Sequence, residues 1–307
     1  MEKREKVSPH LSLLVLSASV FFFLAGCSSR PVNTAYEPFE NILEIHSDFQ
    51  RHLSDDTYRF PTARDITGKN IYRATLIRLK NYEKAYPRRF EPVVAYSKAR
   101  AKEKLHDYEG ARLSYLECSQ MDSRLREAAR RNLGIVGRFA DIRAYSTEKK
   151  DIEDHLAEAE YKIEAWRSMI DELKGTHYEC LAREEEERAE ENLIWFIGRN
   201  RDLIDNGTET LLLMLRQMTI KHAQSKKLNI HYLKFADFYR QLARECVNKN
   251  EPAGLYFDRA RFNECVNSAM KLYRVVGQKD GVPEKLEAVG RLQAIQAYRD
   301  RINDMSD

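Results

Sequence analysis

From Ile152 to Leu173 apolar residues recur in steps of four and three without a break: Ile152, Leu156, Ala159, Ile163, Trp166, Ile170 and Leu173. An α-helix returns to the same face every 3.6 residues, so this spacing lines one face of a helix, whereas a strand would scatter it over two. The seam is long enough to pack within the chain or to pair with a second copy. Residues that would break such helices are scarce. The chain of 307 residues holds 8 Pro and 12 Gly, while 43% of it is hydrophobic and 32% charged. That mixture can bury a core and gives little support to an extended sheet. An all-α fold is expected.

Stop and start signals divide the second half. Gly175 ends the seam helix, and Thr176-His177-Tyr178-Glu179 has the form of a capping box for the next, which is expected to reach about Ile204. Gly207 and Thr208 repeat the signal. Further helices are expected at about 208–226, 228–249, 254–276 and 283–304, the last opened by Pro283. In the second of these, Leu228, Tyr232, Phe235, Tyr239, Leu242 and Cys246 form one apolar stripe. Short loops between consecutive helices imply antiparallel neighbours in a helical bundle or a degenerate α-solenoid.

Leu105 to Ser123 reads L-H-D-Y-E-G-A-R-L-S-Y-L-E-C-S-Q-M-D-S. This resembles the second half of a tetratricopeptide repeat. The resemblance implies Val93 to Lys104 as helix A and Asp107-Tyr108 as the opening of helix B. It makes Ala99 and Ala111 the small crossing residues, Tyr108 and Tyr115 the large aromatics, and Cys118 small again. Two positions depart from the pattern: Ala95 stands where a large aromatic is usual, and Ser123 replaces the closing proline. Tyr72, Thr75, Leu79 and Tyr82 repeat the spacing upstream, and Y-P-R-R-F (Tyr86 to Phe90) ends that helix in the manner of the repeats of periplasmic assembly lipoproteins. A third helix A is expected from Leu125 to Ile142. The resemblance extends over residues 60–145 and no further. It implies a concave face bearing Val93, Tyr96, Arg100, Glu103 and Lys104. Tyr96, Arg100 and Lys104 would stack along one stripe, suited to an acidic side chain or a free carboxylate of a partner.

At the N-terminus, M-E-K-R-E-K is followed by Leu11 to Leu24, fourteen residues without a charge. That length suits a signal-peptide core and falls short of the roughly 20 residues that span a bilayer as a helix. Leu24-Ala25-Gly26-Cys27 resembles the lipobox of bacterial lipoproteins. The resemblance implies export, cleavage before Cys27 and a lipid on its thiol, and Ser28 after the cysteine favours the outer membrane. The expected organisation is a signal peptide at 1–26, a lipidated tether at 27–38, tetratricopeptide-like repeats at 39–145 and a helical bundle or coiled-coil-like domain at 146–307.

No motif for catalysis stands out. H-E-x-x-H, G-x-S-x-G and Walker loops are absent, so the reading is not an enzyme, with no cofactor and no metal. His46, His52, His177 and His222 read as surface histidines. Glu184 to Glu187 reads as a solvated face, because successive helical positions keep its carboxylates from converging. Arg124, Arg126, Arg130 and Arg131 form a basic stripe. Cys118, Cys180, Cys246 and Cys265 sit at apolar positions and read as buried thiols, although two disulfides would also be compatible with an oxidising periplasm. The net charge of +3 is interspersed, and the export signal argues against a nucleic-acid partner. The expected function is a lipid-anchored protein-interaction module or adaptor in cell-envelope assembly or export. The alternatives are an oligomeric scaffold built on the 152–173 seam and a cell-wall enzyme without a recognisable motif.

Overall fold

The computed structural model describes residues 37–55, 69–148 and 151–305; the expected signal peptide and the expected lipidation site, Cys27, lie outside them. Among the described residues there are eleven α-helices and no strand. In chain order they are α1 Glu37–Asp55, α2 Lys69–Ala85, α3 Glu91–Lys104, α4 Tyr108–Gln120, α5 Arg126–Ala144, α6 Ile152–Glu172, α7 His177–Arg199, α8 Gly207–Lys221, α9 Leu228–Lys249, α10 Arg259–Gly277 and α11 Lys285–Asp304. The chain falls into two compact units, residues 1–44 and 45–307. Only the opening turns of α1 belong to the described part of the first; everything below concerns the second. From α2 onward, helices pack against their neighbours in sequence, as a helical repeat or bundle requires.

The residues that carry the repeat resemblance are buried where small and large side chains must interlock. Ala99, Ala111, Tyr115 and Cys118 are fully buried and Tyr108 nearly so, and α3 packs on α4 through them. Asp107 caps α4, its Oδ1 accepting from the Gly110 N–H at 2.9 Å. The buried residues of α2 are Tyr72, Thr75, Leu79 and Tyr82, the four positions of the upstream copy. Ala111→Leu would push three carbons into this contact, and overpacking typically costs roughly 1–3 kcal/mol. Arg112→Leu, on a side chain 42% exposed, is expected to leave stability close to wild type. Urea denaturation separates the two; equal losses would mean that Ala111 does not sit at a close helix crossing.

The seam of α6 is spent inside the chain. Trp166, Ile170 and Leu173 are buried, with Phe139 of α5 edge-on to Trp166 at 5.0 Å. Leu156, Ala159 and Ile163 are half-buried against the apolar cluster of the later helices. Gly175 then adopts a left-handed φ of 78°, which only glycine takes without steric cost. Thr176 caps α7 by accepting from the Tyr178 N–H, and Glu179 accepts from the Gly175 N–H at 2.8 Å. The capping box thus closes one residue further out than its usual form.

Several helix ends differ from expectation, each for a local reason. Asn200 caps α7 and a 3₁₀ turn, Arg201–Leu203, follows, so α7 stops short of Ile204. Gly207 admits the chain there, since a Cβ would lie 2.3 Å from the Arg201 carbonyl oxygen. His222 and Ser225 form a turn that ends α8 at Lys221. Asp258 caps α10, which therefore begins at Arg259. Cys118 and Cys265 are buried thiols, and burial pushes Cys265 up to about 11.

Among the described residues the core holds two large apolar clusters, beside a small one of Phe49, Tyr72 and Ala101. One runs from Ala95 to Ala189, across the expected division at 145/146, and the other from Leu193 to Ile302. Helix α7 belongs to both. No described helix is long and apolar enough to cross a membrane.

Candidate functional site

The stripe expected to face a groove is covered. The N-terminal turn of α7 lies against α3, and Glu103 is 1% exposed, accepting from Tyr115 OH at 2.7 Å and Tyr178 OH at 2.5 Å. Arg100 lies 3.5 Å from Glu103 and donates to His177 Nε2. A guanidinium can only donate, so His177 accepts through a neutral ring, and burial holds its imidazole below the usual range. Asn132 of α5 donates to Tyr96 OH at 3.0 Å and Tyr115 OH at 3.2 Å. Burial first, and then the Glu103 charge, push the Tyr115 and Tyr178 hydroxyls well above the phenol range. Lys104 is 8% exposed. Tyr96, Arg100 and Lys104 therefore do not form an open surface. The charges that the sequence offered to a ligand are met from within the chain.

A second polar assembly surrounds the middle of α7, where Glu185, Glu186 and Glu187 are buried rather than solvated. They do not converge, and each meets different bases. Glu185 accepts from His106 Nδ1 at 2.7 Å, Tyr108 OH at 2.8 Å and Arg188 at 2.7 Å. His106 Nε2 lies 3.2 Å from Glu184. The His106 backbone is left-handed, φ 59°, a sparsely populated region for a non-glycine residue, and Arg143 donates to its carbonyl. Glu186 accepts from Lys221 at 2.5 Å, with Arg167 at 3.5 Å. Glu187 accepts from His231 Nε2 at 2.6 Å and Ser225 Oγ at 2.5 Å. One turn on, Glu190 meets His222 at 2.7 Å and also Lys221, and Glu191 meets Lys227 at 2.6 Å and Lys234 at 2.7 Å. His222 and His231 are 3% and 2% exposed, so they are interior groups and not surface histidines.

Burial alone would raise these carboxyls. For Glu185 the hydrogen bond and charge of His106, with Arg188, outweigh burial and hold it at about 2. Lys227 and Lys234 do the same for Glu191, also at about 2. Paired carboxylates of this kind stay ionised at neutral pH and are poor proton donors, so the assembly is suited to holding helices in register. Among the described residues no cluster of His, Cys, Asp and Glu could hold a metal ion.

The open features lie elsewhere. Ile163 and Arg167 of α6, Glu190 and Ile194 of α7, and Met214, Met218 and Ile220 of α8 line a groove of about 400 Å³. Ile220, one of the lining residues, is 65% exposed, and Leu213, two turns earlier on the same face of α8, 55%. A second groove, of about 370 Å³, lies between α9 and α11. Neither was legible as a site in the sequence, because each joins residues of different helices. The wider comparison adds no relative. No family model matches the chain, and no curated protein matches it significantly.

Proposed function

We propose that the protein is a lipid-anchored periplasmic adaptor of cell-envelope assembly or export that grips an amphipathic helical segment of another envelope protein. The observation that carries this reading is the apolar groove between α6, α7 and α8. Methionines line it, and their flexible thioethers adapt to varied partners. Its charged rim is already committed: Arg167 is bonded to Glu164, and Lys221 to Glu186 and Glu190. What remains on offer is apolar surface beside exposed Ile220 and Leu213, the kind of surface an amphipathic helix covers. The scaffold alternative has less support, since the seam on which it would be built packs within the chain.

Two experiments test the reading. Cys27→Ser should abolish labelling with palmitate and leave an unprocessed precursor, because a hydroxyl does not form the thioether; a labelled variant would refute lipidation at that residue. A photocrosslinker at Gln217 should give a discrete adduct in the membrane fraction. Ile220→Glu and Leu213→Glu, at exposed positions that leave folding intact, should remove it. An adduct unchanged by both charges would mean that the groove is not the contact.

A further inference from the structure

The groove between α9 and α11 has a different chemistry. Its walls carry Arg240 and Arg244, one turn apart on α9, and Arg301 on α11; its floor includes Ala294, Ala297 and Tyr298. We infer that this groove binds a small ligand bearing a phosphate group.

Three observations carry the inference. First, among the described residues only one of the three arginines has an ion-pair partner: Asp237 accepts from Arg240 at 3.2 Å, and also from Tyr273 OH at 2.6 Å and from Arg291. Among the described residues Arg244 and Arg301 make no ion pair, and Arg301 instead lies 5.4 Å from the centre of the Tyr298 ring. Three guanidiniums in one concavity with a single carboxylate paired among them leave a focused positive potential. Second, the guanidiniums are held. Asp237 orients Arg240, and the Tyr298 ring supports Arg301 from its face. Third, the space fits. A volume of about 370 Å³ is that of a small-molecule site, and the two alanines keep the floor open.

The number of forks favours phosphate over carboxylate. One guanidinium satisfies a carboxylate by two parallel hydrogen bonds, whereas a dianionic tetrahedral phosphate offers acceptors to several arginines at once. The Tyr298 ring would lie against the apolar part of the ligand. A soluble phosphomonoester and a phospholipid headgroup share this chemistry. The inference does not depend on the adaptor reading, which concerns another groove.

The test is isothermal titration of the full chain with glycerol 3-phosphate and, separately, with monomeric short-chain phosphatidic acid. Binding of the first, or of both alike, identifies a soluble phosphate ester; binding of the second alone identifies a headgroup. Either supports the site, provided that Arg244→Ala and Arg301→Ala each weaken it about tenfold or more, the scale of one lost bidentate contact. Arg244→Lys, which keeps the charge and loses the fork, should recover only part. Thermal melts identical to wild type confirm that the variants fold. Three outcomes overturn the proposal: no heat with either ligand at millimolar concentration, affinity unchanged in the arginine variants, or tighter binding of a glutamate-rich octapeptide than of either phosphate.

Discussion

Glu187→Ala should cost roughly 3–5 kcal/mol, the usual consequence of removing one partner of a buried, hydrogen-bonded carboxylate pair. Glu187 and His231 are each 2% exposed, and Glu187 Oε1 accepts from both His231 and Ser225. Removing the carboxylate leaves a ring nitrogen and a hydroxyl in the interior without their acceptor. No neighbour can take its place. Glu191 lies 3.9 Å from the other nitrogen of His231 and is already engaged by Lys227 and Lys234. Glu187→Gln keeps an acceptor oxygen and should lose less. Replacing Glu187 and His231 together by leucine should recover much of the loss, since an apolar pair of similar volume needs no partner. Arg183→Ala is the reference. Its side chain is 45% exposed and bonds Glu179 on the same helix, so about 0.5 kcal/mol or less is expected. Urea midpoints measure all four. If Glu187→Ala were as mild as Arg183→Ala, the carboxylate would be solvated and α7 would not be the interior helix described here.

The fold was legible wherever local spacing and local chemistry agree. The step of three and four from Ile152 to Leu173, the Gly175 stop, the Thr176 cap and the Asp107 cap are each set by residues within one or two turns, and each helix forms there. The spacing of Tyr72, Thr75, Leu79 and Tyr82 marks the buried face of α2 for the same reason. The candidate sites were not legible, because their partners come from far along the chain. Four successive glutamates read as a solvated face only while nothing packs on the other sides of the helix. A run longer than one turn points in every direction, so a helix enclosed by α3, α6, α8 and α9 must bury some of it. One local signal was present. Tyr178, Leu181, Ala182, Ala189 and Leu193 form an apolar stripe, and Glu185 falls on it. A carboxylate in the middle of an apolar stripe needs a base, and the base is His106, seventy-nine residues earlier. Tyr96 and Arg100 failed in the opposite sense. Their pattern on α3 was read correctly as one face, but which element covers that face is decided by the Gly175 turn, which brings Tyr178 and His177 onto Glu103.

Acid should unfold the protein through the same helix, with a sign that discriminates between two accounts of it. Glu185 and Glu191 are held at about 2 in the folded chain, against an ordinary value of 4.5. A carboxyl depressed on folding contributes stability that is complete above its unfolded value and is lost as pH falls toward its folded one. Between about pH 4.5 and pH 2 the unfolded chain binds more protons than the folded chain, so stability must rise with pH across that window. At 1.36 kcal/mol per unit, each carboxyl contributes on the order of 3 kcal/mol, enough for the pair to consume much of the reserve of an ordinary domain. Urea denaturation at half-unit steps from pH 2.5 to 6 measures the slope. Glu185→Gln should remove one share of it. Lys227→Met with Lys234→Met should remove the other, by taking away the charges that hold Glu191 down. Had burial prevailed over the bases, both carboxyls would sit above 4.5, and their contribution would be flat below pH 4.5 and fall as pH rises above it. A curve flat between pH 2.5 and 4.5 and falling above it would therefore show that His106, Arg188, Lys227 and Lys234 do not outweigh the cost of placing these carboxylates inside the protein.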